Sequence, residues 1–365
     1  MQGVMPPLPE AFIRLLGAAQ VSDADGTGLV LNHRRFPVIE GIPILLKDPH
    51  CYLHRLCIFL EAQLEKLEPF RRFPPDRPWA EPQARMLERR LNAIRSVLGI
   101  TAGGPLHQDA DLSAPALQSR YDSEANTDLY TRIAWGCRSI PTGHAEVGQL
   151  PDAGDFYSRL ATVIGALLPR NGVFLDLGCG VGRSVFDAAQ SASEGLAIGL
   201  DLSLSKIARA SAIVRGHSPV CYPIRVEAGF AEAQISALGQ TNTVFAIGDA
   251  AQLPLPEHSV DCVLLSMVIG LVQDLQDVLR RLSRILKPEG SLVIADSFDA
   301  FYNYDYPSDH RITVEAAVQM LKQALPDAVV ELTGSVSYEE HWTHSRTVTY
   351  RTWLVTAKRP QTGWG

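Results

Sequence analysis

A chain of 365 residues, 46% hydrophobic, 20% charged and 7% aromatic, holds enough apolar material for one large domain with an extension or for two domains, which excludes wholesale disorder. Its 33 basic and 40 acidic residues leave a net charge of −7, and that disfavours nucleic acid, whose binders usually carry a basic excess to displace counterions. Cys51, Cys57, Cys137, Cys179, Cys221 and Cys262 include no C-x-x-C pair, so the common zinc-ribbon and redox spacings are excluded as well.

The N-terminus carries Pro6, Pro7 and Pro9 instead of a basic-then-apolar signal. The longest apolar run, Cys262 to Val272, is too short to cross a bilayer. The expectation is a reduced, cytoplasmic, soluble chain with no membrane partner and no metal. Residues 1–48 read as a small β-rich segment: Leu29–Leu31 and Arg35–Lys47, punctuated by Pro37, Gly41 and Pro43, predict two or three short strands. Residues 49–170 read as a mainly helical extension. Leu53, Leu56, Cys57, Leu60, Leu64 and Leu67 recur at spacings of three and four, and Met86 to Leu98 repeats the pattern up to a stop at Gly99. Thr101 to Pro115 reads as a linker, and Asp155 to Leu168 as one more helix closed by Pro169.

From residue 171 to 365 the signals alternate. Strands are expected at Val173–Leu177, Leu196–Leu200, Thr243–Ile247, Val260–Leu265 and Ser291–Ala295, with helices at Arg183–Ser191, Leu204–Arg215 and Asp274–Leu286 between them. Short strands alternating with longer helices predict an α/β fold, a parallel sheet covered on both faces. A helix at Val314–Leu325 and two alternating strands near Val329–Val336 and Val348–Ala357 predict an antiparallel pair at the sheet edge. The long connection from Gly216 to Asn242 adds a strand or lid at Val220–Val226 and a short helix at Phe230–Leu238.

The first strand delivers Asp176 into Gly178-Cys179-Gly180-Val181-Gly182-Arg183 at the start of a helix. Glycines belong where backbone turns sharply and a ligand must approach without a Cβ in the way. Dinucleotide folds favour G-x-G-x-x-G, whereas here the third glycine arrives one residue early and Arg183 takes its place. Asp201 ends the second strand, Asp249 follows the third, and Ser266 and Met267 follow the fourth. Each acid has a structural alternative. Asp176 and Asp201 suit helix N-caps, as does Ser203, and Asp249 suits a turn; Asp261 and Asp296 read as strand-end acids, and Cys179 as a packing residue.

Over about Gly172 to Lys358 these ordered motifs resemble the class I S-adenosylmethionine-dependent methyltransferases. The resemblance implies a Rossmann-like, seven-stranded, mostly parallel sheet with an antiparallel edge strand, and S-adenosyl-L-methionine as cofactor. It implies that Asp176, Gly178, Cys179, Gly180 and Gly182 hold the methionine end. Asp201, with Leu202 beside it, takes the ribose, Asp249 and Ala250 take the adenine, and Ser266 and Met267 line the site. An ammonium, a sulfonium and several hydroxyls suit carboxylates rather than a phosphate-binding nest.

Ser119 to Tyr130 is similar to the Tyr-Asp helix that precedes the core in small-molecule methyltransferases. It implies Tyr121 over the methionine end and Arg120 on the cofactor carboxylate, while His144 is a candidate general base. The aromatic run Phe298 to Pro307 reads equally as an acceptor cover or as a surface loop. The stretch Phe36 to Leu46 is similar to the end of a Trm112-like zinc-ribbon module, although no cysteine precedes Cys51. The implied reaction is in-line transfer of the sulfonium methyl to a small-molecule acceptor, in which protein groups orient the pair and exclude water. The alternatives are intramolecular cyclisation of the cofactor on the same fold, a protein or RNA methyltransferase, and a non-catalytic binding subunit. A homodimer is compatible with each.

Overall fold

The computed structural model describes residues 8–17, 19–23, 26–71, 79–100, 122–136, 138–139, 155–226, 229–272, 274–298, 312–343 and 346–360. A short helix α1 (Glu10–Leu16) ends at Gly17 in the left-handed conformation, φ 59°. Strands β1 (Ala19–Asp23), β2 (Gly26–Leu31), β3 (Arg34–Ile39) and β4 (Ile42–Pro43) then form an antiparallel meander, so this segment has four strands where two or three were expected. Two tight turns close it, Asn32-His33 at φ 49° and 63° and Glu40-Gly41 at φ 50° and 78°. Paired positive φ values match the twist of the flanking strands, but only the second turn carries glycine, which weakens the signal in sequence.

Helices α2 (Pro49–Arg71) and α3 (Ala80–Leu98) bury the expected apolar stripes, including Leu53, Leu60, Leu87 and Ile94, and Gly99 closes α3 in the left-handed conformation. Helix α4 (Glu124–Trp135) starts at Ser123, whose side chain accepts from the Asn126 amide. A two-residue strand β5 (Arg138–Ser139) and helix α5 (Asp155–Leu167) follow. Among the described residues no helix is long and apolar enough to cross a membrane.

Apart from β9, the remainder alternates as predicted: β6 (Val173–Leu177), α6 (Arg183–Ser191), β7 (Leu196–Asp201), α7 (Leu204–Val214), then β8 (Val220–Val226) and β9 (Gly229–Ile235). After them come β10 (Thr243–Ile247), β11 (Val260–Ser266), α8 (Leu275–Ile285), β12 (Leu286–Asp296), α9 (Val314–Ala324), β13 (Val329–Thr343) and β14 (Arg346–Lys358). The main sheet has seven strands in the order β10-β7-β6-β11-β12-β14-β13. Pairing is parallel from β10 to β12 and antiparallel on both sides of β14. The chain therefore starts its core in the middle of the sheet and builds outward in both directions, which opens a crevice at the C-terminal end of β6 beside β11.

Successive residues of each central strand enter opposite cores. Phe174 and Phe245 lie with α5, α6 and α7, whereas Leu175 and Val244 lie with α8 and α9. That two-sided burial explains why β10 is buried at every position and apolar from Val244 to Ile247, with no alternation. The N-terminal elements share both cores. Leu53 and Leu87 join the first, and Phe12, Leu29 and Phe36 join the second. Ile44 also makes a parallel bridge to Ile247 at the edge of the main sheet, and the Leu45 amide donates to the Ile247 carbonyl at 2.8 Å. The small meander thus covers an edge strand that would otherwise offer unpaired backbone.

One local expectation is overturned. The helix predicted at Phe230–Leu238 is instead strand β9, antiparallel to β8 and flanked on its other side by β5. Ala233 pairs with Tyr222, both are buried, and cross-strand partners outweigh the helical preference of an Ala-Glu-Ala-Gln run.

Candidate cofactor site

Asp176 occupies the fourth position of β6, next to Gly199 of β7 on one side and Leu264 of β11 on the other. It is 2% exposed, and its Oδ1 has no hydrogen-bond partner among the described residues. Burial, reinforced by the charge of Asp201, raises its carboxyl from 3.8 to about 8. Orphaned buried carboxylate oxygens are rare because desolvation costs so much, so this one calls for a cationic or hydrogen-bonding partner.

The three glycines that follow all have positive φ, yet they do different work. A Cβ on Gly182 would lie 2.8 Å from the Phe245 ring and 2.9 Å from Ala210, so this glycine lets α6 close on its neighbours. A Cβ on Gly180 would meet nothing within 4 Å, so here bare backbone faces open space. Gly178 and Cys179 both donate their amides to the Leu200 carbonyl, which ties the loop to the end of β7. The Cys179 side chain is buried against Gly199, and burial pushes its thiol well above the usual range, which suits packing and not nucleophilic attack.

Asp201 faces the same loop. Its Oδ2 accepts the Gly180 amide at 3.0 Å and its Oδ1 accepts the Ser203 amide at 2.8 Å. Ser203, rather than Asp201, caps α7, so of the two candidates for the cap the serine takes it. Leu202 is 45% exposed, an apolar side chain beside the crevice. The Gly248 amide donates to the Asp201 carbonyl, bringing the turn after β10 alongside. There Asp249 accepts the Ala251 amide at 2.9 Å, and Asp249 and Ala250 are half-buried. Ser266 ends β11, and Met267 adopts a left-handed φ of 54°, uncommon for its residue type, while its amide donates to Ala295.

Asp176, Gly178, Cys179, Gly180, Gly182, Asp201, Leu202, Asp249, Ala250, Ser266 and Met267 therefore all lie at the C-terminal ends of four adjacent parallel strands or in the loops leaving them. Arg120, Tyr121 and His144 fall outside the described residues, as does most of the aromatic run after Phe298. The strand-end acids behave as expected: Asp261 accepts from the Val173 amide and Lys287, and Asp296 accepts from the Ile269 and Phe298 amides. Among the described residues no group of His, Cys, Asp and Glu is arranged to hold a metal ion.

The sequence pattern did not point to the groups that brace the site from the extension. Trp135 donates its ring N–H to the Val181 carbonyl at 3.0 Å, inside the glycine loop. Arg183 donates to the Ala134 carbonyl and lies against the rings of Trp135 and Tyr157. Tyr52 of α2 donates to the Leu202 carbonyl across 150 positions of chain, a separation that no local pattern signals.

The comparisons agree with this geometry. Residues 175–294 match the family model described as a methyltransferase domain. Over that stretch, about a third of the chain, the sequence is similar to a methyltransferase domain. Among curated relatives, an arsenite methyltransferase of Aquipseudomonas alcaligenes is 32% identical over 128 residues, 34% of this chain and 32% of that protein. A nocamycin O-methyltransferase of Saccharothrix syringae is 33% identical over 126 residues, 34% of this chain and 38% of that protein. The match to this chain thus spans about a third of the length of each. Among solved structures, phosphoethanolamine N-methyltransferase 2 of Haemonchus contortus, in complex with S-adenosyl-L-methionine, aligns with a TM-score of 0.45 at 15% identity, covering 68% of this chain and 61% of that one.

The residues at these strand ends fit S-adenosylmethionine, the cofactor that the sequence resemblance implies. The orphaned Oδ1 of Asp176 matches an ammonium, and the open backbone at Gly180 admits a bulky ligand. The half-buried acids at successive strand ends match a ligand whose polar groups are hydroxyls and amines.

Proposed function

We propose that this chain transfers the sulfonium methyl of S-adenosylmethionine to a small-molecule acceptor. The observation that carries the reading is the buried carboxylate of Asp176, one oxygen without a partner among the described residues, beside open glycine backbone at the crevice of the sheet. In this reading Asp176 seats the ammonium, and the backbone of Gly178, Cys179 and Gly180, with Gly182 setting the turn, supports the methionine end. Asp201 and Leu202 take the ribose, Asp249 and Ala250 the adenine, and Ser266 and Met267 line the methyl side. Arg120, Tyr121 and His144 are proposed for the cofactor carboxylate, the sulfonium and proton removal in turn.

The bound cofactor supplies an activated methyl group, so the chain's residues have three tasks: to align an acceptor, to exclude water and, for a protonated acceptor, to take up a proton. A small acceptor is supported by relatives named for arsenite and for nocamycin. The net charge of −7 favours it over nucleic acid. Free cysteines at Cys57, Cys179 and Cys262, all buried, suit a reducing, cytoplasmic setting. The test is incubation with S-adenosylmethionine and a panel of small phenols, carboxylates, amines and thiols, with product analysis by mass spectrometry. S-adenosylhomocysteine together with a methylated acceptor is expected. Methylthioadenosine as the only nucleoside product would overturn methyl transfer in favour of cofactor cyclisation.

A further inference from the structure

Three buried polar groups of the extension converge on one short loop of the α/β domain. The Tyr52 hydroxyl donates to the Leu202 carbonyl at 2.8 Å. Asp122 accepts the Ser203 hydroxyl at 2.7 Å and the Ser205 amide at 3.1 Å. Arg90 donates to the Ser205 hydroxyl at 3.2 Å while paired with Glu124 at 3.0 Å. Tyr52, Arg90, Asp122, Ser203 and Ser205 are each buried, at 6%, 3%, 2%, 3% and 3% exposure. The loop they hold is the one that aims Asp201, since the Ser203 amide is also the donor to Asp201 Oδ1.

Such a cluster is a poor device for stability alone. Desolvating charged and polar groups offsets most of what their pairing returns, and apolar packing of equal volume would hold two elements together as well. What directional bonds add is a fixed backbone position, here across the two-residue loop Leu202–Ser203 and the first turn of α7 beside the crevice.

We propose that Tyr52 and Asp122 are positioning residues for the cofactor's ribose, so that the helical extension is a working part of the cofactor site. Both act through the Leu202–Ser205 backbone, which sets where the Asp201 carboxylate stands. The proposal rests on the reading of Asp201 as the ribose ligand. It also explains why polar groups of the extension meet this domain where the loop leaves β7.

The test is calorimetric titration of the full chain with S-adenosylhomocysteine and with its 2′,3′-dideoxy analogue, alongside the thermal midpoint of each unliganded variant. Tyr52→Phe removes a single hydroxyl and should weaken S-adenosylhomocysteine binding by roughly three- to tenfold, the worth of one directional hydrogen bond. The midpoint should move little. Asp122→Ala should weaken binding further, and Asp122→Asn, which keeps an acceptor, should recover most of the loss. The preference of the wild type for the hydroxylated ligand should shrink in Tyr52→Phe and in Asp122→Ala, an effect that general loosening does not produce. Should Asp122→Ala fail to fold, Tyr52→Phe alone decides. Wild-type binding with the same affinity and the same ribose preference in Tyr52→Phe overturns this proposal and leaves the cofactor reading intact. Absence of binding by the well-folded wild type overturns the cofactor reading, and this proposal falls with it.

Discussion

Two groups of buried carboxylates lie close together in this fold and are treated in opposite ways. Where the extension meets α7, Glu124 pairs with Arg90 at 3.0 Å and with Arg209 at 3.7 Å, and Asp128 pairs with Arg209 at 2.9 Å. Glu124 and Asp128 each have a cation within 4 Å. At the end of β6, Asp176 is just as buried, its charged form is opposed by Asp201, and one of its oxygens has no partner among the described residues. The first arrangement is complete without anything else. The second is left open among the described residues, and this contrast is what supports reading it as a binding site.

The largest effect expected from breaking the comparison is on the completed side. Glu124→Ala removes the more buried of Arg90's two carboxylate partners, leaving Glu40 at 3.3 Å, so the cost of a fully broken buried pair is the upper bound. Removing one partner of a buried pair costs roughly 3–5 kcal/mol, to be read by chemical denaturation. On the open side the sign should reverse. Asp176→Asn relieves a desolvated carboxyl and should raise the midpoint of the unliganded protein near neutral pH. The same change should weaken S-adenosylhomocysteine by roughly 100-fold through loss of a buried charge pair. A variant that is both more stable and less able to bind is the signature of a site held in strain for a ligand.

The pH dependence sharpens the same point. The folded-state pKa of Asp176 lies above its unfolded value, so the native state holds the extra proton and stability declines as pH rises from 3.8 to about 8. Burial likewise raises Asp122 to about 6 and Asp128 to about 7, partly offset by their hydrogen bonds and cations, so their contributions end earlier. Thermal midpoints should therefore fall more steeply with pH in the wild type than in Asp176→Asn between about pH 4 and pH 8, with the gap levelling off above about pH 8.

A smaller effect is expected in the glycine loop. Gly180→Ala introduces only the strain of a positive φ, roughly 1–2 kcal/mol, because nothing stands near the new methyl. It should nonetheless weaken ligand binding markedly. Gly182→Ala meets Phe245 and Ala210 and should lower stability at least as much, with ligand affinity reduced only through folding.

The sequence disclosed the parts of this molecule that are local. Strand–loop–helix signals around Gly178 to Gly182 and acids at strand ends gave the sheet, its seven strands and the residues round the crevice, because periodicity and glycine placement are properties of short windows. Even there, the spacing could not say which glycine faces a ligand and which faces Phe245, since that depends on α7 and β10 arriving from elsewhere. The bracing groups were less legible still. Asp122 sits in a stretch that was singled out for its neighbour Tyr121, and Tyr52 is one tyrosine on an amphipathic helix whose partner lies 150 residues away. Strand β9 failed for a related reason, as its pairing with β8 overrode the preference of its own residues.

The central claim is that Asp176 waits, protonated for much of the time at neutral pH, for a cation that displaces its proton. Calorimetric titration of the wild type with S-adenosylhomocysteine at pH 7, repeated in buffers of different ionisation enthalpy, measures that displacement directly. Release of close to one proton per ligand bound is predicted, falling to nearly none well above pH 8 and in Asp176→Asn. Tight binding with no proton released at pH 7, or no heat at all from folded protein, would contradict it.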